Sequence, residues 1–90
     1  MNDMNNKYLE IIKTVMSSFG YNLTESIACN GSDEYIIMNN EVTFSIRCEQ
    51  LKGKHIADTL QQKLQEAGAQ VTTHESSDKI IYTYKVEIIN

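Results

Sequence analysis

The stretch from Ile80 to Ile88 constrains this chain most, because its apolar residues take every second place: Ile80, Tyr82, Tyr84, Val86 and Ile88. That spacing belongs to a β-strand with one buried face. The segment before it offers a partner strand, in which Ala69, Val71 and Thr73 alternate with Gln70, Thr72 and His74, and Ser76-Ser77-Asp78 has the composition of a turn. A turn centred on Ser76-Ser77 pairs Thr73 with Ile80, Val71 with Tyr82 and Ala69 with Tyr84. This register runs out at Ala69. Val86 and Ile88 then need another neighbour, so the final strand is predicted to lie inside the sheet and to join both halves of the chain.

Period-two patterns also occur earlier. A first strand is predicted from Tyr21, Leu23, Ile27 and Cys29 on one side, with Asn22, Thr24 and Ser26 on the other. A short second strand, Glu34 to Met38, is followed by Asn39-Asn40, which suits a tight hairpin because asparagine tolerates positive φ. Placing Met38 opposite Glu41 pairs Ile37 with Val42 and Tyr35 with Phe44. One face then reads Tyr35, Ile37, Val42, Phe44, Ile46 and Cys48. The first two strands are expected to form a hairpin as well, with either an odd loop count or a bulge around Asn30-Gly31-Ser32-Asp33, for which Gly31 is suited.

Two stretches carry helical spacing instead. Met4, Tyr8, Ile11, Ile12, Val15, Met16 and Phe19 form one apolar stripe, capped by Asp3 or Asn5 and ended by Gly20. Ile56, Ala57, Leu60, Leu64 and Ala67 form the other, ended by Gly68, with His55 in its first turn. The order αβββαββ, with every strand amphipathic, predicts a two-layer α+β domain: a five-stranded, mostly antiparallel sheet with two helices on one face. Residues 1–90 read as a single domain with Met1–Asp3 frayed, since 90 residues leave room for one core. Ile12, Met16, Gly20, Leu23 and Thr24 echo Leu60, Leu64, Gly68, Val71 and Thr72 at an offset of 48, a weak hint of duplication.

A formal charge of −4, with Arg47 the lone arginine among eight scattered basic residues, argues against a nucleic-acid platform. No basic, apolar start resembling a secretion signal and no membrane-length apolar run is found, so a cytoplasmic protein with reduced thiols is expected. Asn22-Leu23-Thr24 and Asn30-Gly31-Ser32 match the glycosylation pattern by chance. Cys29 and Cys48 share parity with core residues and read as buried packing. His55 and His74 read as surface residues outside any ligand cluster; a cysteine nucleophile with His74 as base can be written, but no spacing recommends it. The four glycines fit turns and helix ends, and no phosphate loop or metal-binding helix is present. Neither an enzyme nor a cofactor or metal site is expected.

What remains is surface. The outer sheet face is predicted to carry small polar residues with four large apolar exceptions, Ile36, Met38, Ile81 and Ile89, and with Arg47 as an anchor, which would mark a protein interface if they cluster. Contact through this face or through a strand edge, with a protein partner or a second copy, is the leading reading. An inhibitor of a basic, nucleic-acid-binding target, of the kind mobile elements encode, is the alternative, with Asp33, Glu34, Glu41 and Glu49 as an acidic rim. A small-molecule or nucleotide binder walled by Tyr8, Tyr35, Tyr82 and Tyr84 is the third. The αβββαββ order is similar to that of the small acidic chaperones of type III secretion, which dimerise. That resemblance lies in element order alone, in a chain that is short for the group and lacks its final helix, and it implies no site residues.

Overall fold

The structure, a computed structural model, describes residues 6–27, 33–78 and 80–89. Its elements are α1 (Asn6–Ser18), β1 (Thr24–Glu25), β2 (Glu34–Met38), β3 (Glu41–Arg47), α2 (Gln50–Glu66), β4 (Gln70–Asp78) and β5 (Ile81–Ile89). They form an α+β arrangement in the predicted order, with one five-stranded sheet ordered β1-β2-β3-β5-β4. The expected caps Asp3 and Asn5, the frayed Met1–Asp3, Met4 of the first apolar stripe, and Cys29 and Gly31 lie outside the described residues.

The second hairpin has the register counted from its turn: Met38 faces Glu41, Ile37 faces Val42 and Tyr35 faces Phe44. Asn39 makes the bend with φ of 57°, a conformation asparagine adopts at little cost. Asn40 then ties the turn to the centre of the sheet, its side-chain nitrogen donating to the Ile88 carbonyl at 2.6 Å while its own carbonyl accepts from the Ile88 N–H at 2.9 Å.

β5 is an interior strand, paired antiparallel with β3 on one side (Val42 with Val86, Phe44 with Tyr84) and with β4 on the other. The β4–β5 register differs from the sequence reading by six residues. Thr73 faces Val86 and Val71 faces Ile88, and β4 continues through Ser76 and Ser77 to Asp78 opposite Ile81. The chain reverses between Asp78 and Ile81, not at Ser76-Ser77. The physical reason is length: two nine-residue strands in full register leave no part of β5 unpaired, whereas a turn at Ser76-Ser77 would strand Val86 and Ile88 on that side. Serine and aspartate are tolerated in β4 because its side chains there are exposed.

The first strand is also corrected. Only Thr24 and Glu25 pair with β2, and they do so in parallel, opposite Glu34 and Tyr35. The Thr24 N–H donates to the Asp33 carbonyl and the Ser26 N–H to the Tyr35 carbonyl, so the segment runs alongside β2 instead of folding back on it. Asp33 has φ of 64° and gives its N–H to the Ser45 carbonyl, which fixes where β2 begins. Ile27, predicted inward, is 95% exposed because β1 has ended before it. Tyr21 and Leu23, earlier in the same alternation, do pack against the core.

The core lies between the helices and one sheet face. Tyr8, Ile12, Val15 and Met16 of α1 and Ile56, Ala57, Leu60 and Leu64 of α2 meet Tyr35, Val42, Phe44, Ile46, Tyr82, Tyr84, Val86 and Ile88. Fully burying side chains of this size stabilises by about 1.5–3 kcal/mol each, offset by the entropy of ordering them. Both helices end at a glycine with positive φ, Gly20 at 93° and Gly68 at 99°. Gly53 has a different role from the turn or helix end expected of it. It sits within α2 flat against the Tyr82 ring, and a Cβ there would lie 2.5–2.8 Å from three ring carbons. α2 begins at Gln50, so His55 falls in its second turn, where its ring meets the edge of Phe19 with centroids 5.8 Å apart.

Candidate functional site

The pairing of β2, β3, β5 and β4 fixes the outer face as a grid. One row runs Glu34, Ser45, Thr83, Ser76, the next Ile36, Thr43, Lys85, His74, and the next Met38, Glu41, Glu87, Thr72. Arg47, Ile81 and Asp78 close one end, and Ile89 with Gln70 closes the other. Ile36 and Met38 therefore adjoin each other on β2, and Arg47 adjoins Ile81 at the opposite corner. Ile81 and Ile89 lie eight residues apart on one strand, about 27 Å at ~3.4 Å per residue. The apolar exceptions sit at separate corners around a polar centre. That centre is less open than the alternation implies, since Ser45 is only 2% exposed and Ile36, Thr43, Thr83 and Lys85 are half-buried.

The acidic residues are likewise spread. Glu34 faces Ser45, while Glu41 lies at the other end of the hairpin, opposite Glu87 and 3.7 Å from the Lys85 ammonium. Glu49 precedes α2 without a side-chain capping bond, and Asp33 buries Oδ1 without a hydrogen-bond partner among the described residues.

The chemically bearing side chains serve packing. Tyr8, Tyr35, Tyr82 and Tyr84 are all core residues, and Tyr82 stacks on Tyr84 with centroids 6.2 Å apart. The Tyr82 hydroxyl donates to Glu75 Oε2, and Glu75 Oε1 lies 3.4 Å from the Lys54 ammonium. Burial first, then the Glu75 hydrogen bond and charge, push the Tyr82 phenol far above its ordinary value. Burial also raises Tyr84, against a hydrogen bond from Thr73 that lowers it. Cys48 is buried as parity predicted, its thiol raised by burial against the lowering influence of Lys52 and Tyr21. It belongs to the helix-side face, whereas His74 occupies the outer face, so the sheet separates the two members of the writable cysteine–histidine pair. Among the described residues no cluster of His, Cys, Asp and Glu is placed to hold a metal ion. Shallow hollows lie beside α1, lined by Lys13, Ser17 and Asn22 among others, and on the outer face between Thr43, His74 and Lys85.

The remaining feature is an edge, and its hydrogen-bonding directions follow from the pairings. The Ile80 and Ile88 carbonyls both accept from the β3 side, so even-numbered residues of β5 point their backbone groups toward β3 and odd-numbered ones toward β4. The β4 partners of Ile81, Thr83, Lys85, Glu87 and Ile89 are Asp78, Ser76, His74, Thr72 and Gln70. Val71, Thr73, Glu75 and Ser77 consequently direct their N–H and C=O groups out of the sheet. No described strand lies beyond them. Sequence reading noted a strand edge as a possible surface but placed a turn across half of this one. No helix of the described residues is long and apolar enough to cross a membrane. Comparison with protein-family models, curated proteins and solved structures gives no match.

Proposed function

We propose that this chain is a non-enzymatic protein that acts by protein–protein contact through its sheet, at the β4 edge with the adjoining outer face. The observation that supports this reading is the nine-residue edge strand β4. It has an unbroken register to β5, no proline and no bulge, and four alternate outward-pointing residues, Val71, Thr73, Glu75 and Ser77, with no described strand beyond them. Edge strands of natural proteins are usually shortened, bulged, covered or blocked by lysine or proline, because an open edge templates pairing with another chain. The opposite edge is partly covered by β1. An added strand is the recognition mode such an edge supports, with main-chain hydrogen bonds for affinity and alternate side chains for selectivity.

The test is association of the tagged protein, by light scattering and affinity capture, in the wild type and in Ser77→Pro, Ile36→Glu and Ile81→Glu. Ser77 points its N–H outward, so proline there removes no bond to β5. Loss of association in folded Ser77→Pro supports the edge, and loss in folded Ile36→Glu or Ile81→Glu brings the outer face into the contact. Association that survives all three substitutions refutes the proposal.

A further inference from the structure

Resting on the reading above, we infer that the occupant of the β4 edge is a second copy of the same strand, paired antiparallel about a two-fold axis through His74. Only a register that sets outward residue against outward residue lets both edges satisfy their backbone groups. Centring the axis on His74 pairs Val71 with Ser77 of the second copy and Thr73 with Glu75, so each of the four outward residues exchanges both its N–H and its C=O. An axis at Thr73 leaves Ser77 without a partner. One at Glu75 opposes two carboxylates directly, and like charges directly opposite destabilise a sheet.

The side chains agree with the His74 register. On the outer face Thr72 meets Ser76 and Gln70 meets Asp78, and on the helix side Thr73 meets Glu75 and Val71 meets Ser77. Each carboxylate is set against an uncharged hydrogen-bonding side chain. Glu75 reaches the junction with one oxygen near Lys54 and the other accepting from Tyr82, so the middle of the edge is not a bare anion. A two-fold axis normal to the sheet also keeps the helices of both copies on one side, giving a single continuous sheet with one covered face.

The experiment is native mass and light scattering over a dilution series, with mild oxidation of His74→Cys and Thr72→Cys, each made in a Cys29→Ser, Cys48→Ala background so that it holds a single cysteine. His74 is exposed and would face its own copy in a non-hydrogen-bonded pair, about 4.5 Å between Cα atoms, which a disulfide spans. Thr72 would lie four residues out of register from its own copy, beyond that reach. We expect a mass twice the 10.3 kDa monomer. His74→Cys should crosslink into a dimer that wild type and Thr72→Cys do not form, and dimerisation should weaken at least about tenfold in Ser77→Pro, which loses two symmetry-related bonds. Circular dichroism confirms that each variant is folded. A monomeric wild type overturns the inference, and if it captures a foreign protein that Ser77→Pro releases, the edge reading stands without self-pairing. A dimer crosslinked equally well through Thr72→Cys overturns the register, and a dimer indifferent to Ser77→Pro overturns the edge.

Discussion

Gly53 offers a test in which packing and helix propensity predict opposite signs. Alanine in a helix interior is favoured over glycine by about 0.8–1.0 kcal/mol, so at an open position Gly53→Ala would stabilise the protein. Here the added methyl group would sit 2.5, 2.6 and 2.8 Å from Tyr82 ring carbons. Those atoms belong to a rigid ring held on its other sides by stacking on Tyr84 and by its hydroxyl bond to Glu75, so the clash has no flexible end to displace. Overpacking of this kind costs typically 1–3 kcal/mol, and the upper end is appropriate. Subtracting the propensity gain leaves a net loss of about 2 kcal/mol, or roughly 8–16 °C in Tm for a domain of this size. Urea unfolding followed by far-ultraviolet circular dichroism measures it. A double-mutant cycle with Tyr82→Val should recover much of the loss, because the ring is what the methyl group meets. A Gly53→Ala protein more stable than wild type would refute the close approach of α2 to β5, and additive effects in the cycle would remove Tyr82 as its cause.

Tyr82→Phe keeps the ring and removes its bond to Glu75, which is partly exposed and also held by Lys54; a loss of about 1 kcal/mol is expected in the same urea assay. Alkali should destabilise the fold, because Tyr82, Tyr84 and Cys48 all have raised values: the unfolded chain releases these protons first, so stability is whole below the ordinary thiol and phenol values, about pH 8.5 and 10, and falls above them. The slope contributed by each group is at most about 1.4 kcal/mol per pH unit, and urea midpoints measured from pH 8 to 11 should fall less steeply in Tyr82→Phe. Asn39→Val forces a β-branched residue to φ of 57° and should lower stability by about 1–2 kcal/mol, whereas Asn39→Gly should leave it unchanged or slightly raised, both read from thermal unfolding.

The β2–β3 register was legible because two independent constraints agreed. A two-residue turn at Asn39-Asn40 and the parity of Tyr35, Ile37, Val42, Phe44 and Ile46 both allow one pairing. The interior position of β5 was reached through a register that the structure overturns: β4 pairs along the whole of β5, Val86 and Ile88 included, and β3 flanks it on the other side all the same. The turn before it was not legible, since Ser76-Ser77-Asp78 has the composition of a turn and equally that of the exposed half of an edge strand, and local sequence does not distinguish the two. Tyr21, Leu23 and Ile27 continue one alternation, yet the first two are held by the core and the third follows the last β1–β2 pair. Parity records which side chains face inward and is silent on whether a neighbouring strand exists. The same gap hid the outline of the candidate site, because which strand is an edge depends on the order of the whole sheet.

The position of β5 also bears on how the protein is made. It follows every other described element in the chain and occupies the sheet between β3 and β4. During synthesis the β2–β3 hairpin and the α2–β4 unit emerge before the strand that unites them, with Phe44, Ile46 and Leu64 not yet fully covered. The two half-surfaces thus stay apart until residues 81–89 clear the ribosomal tunnel, so completion of the sheet waits on a strand made after both of its neighbours.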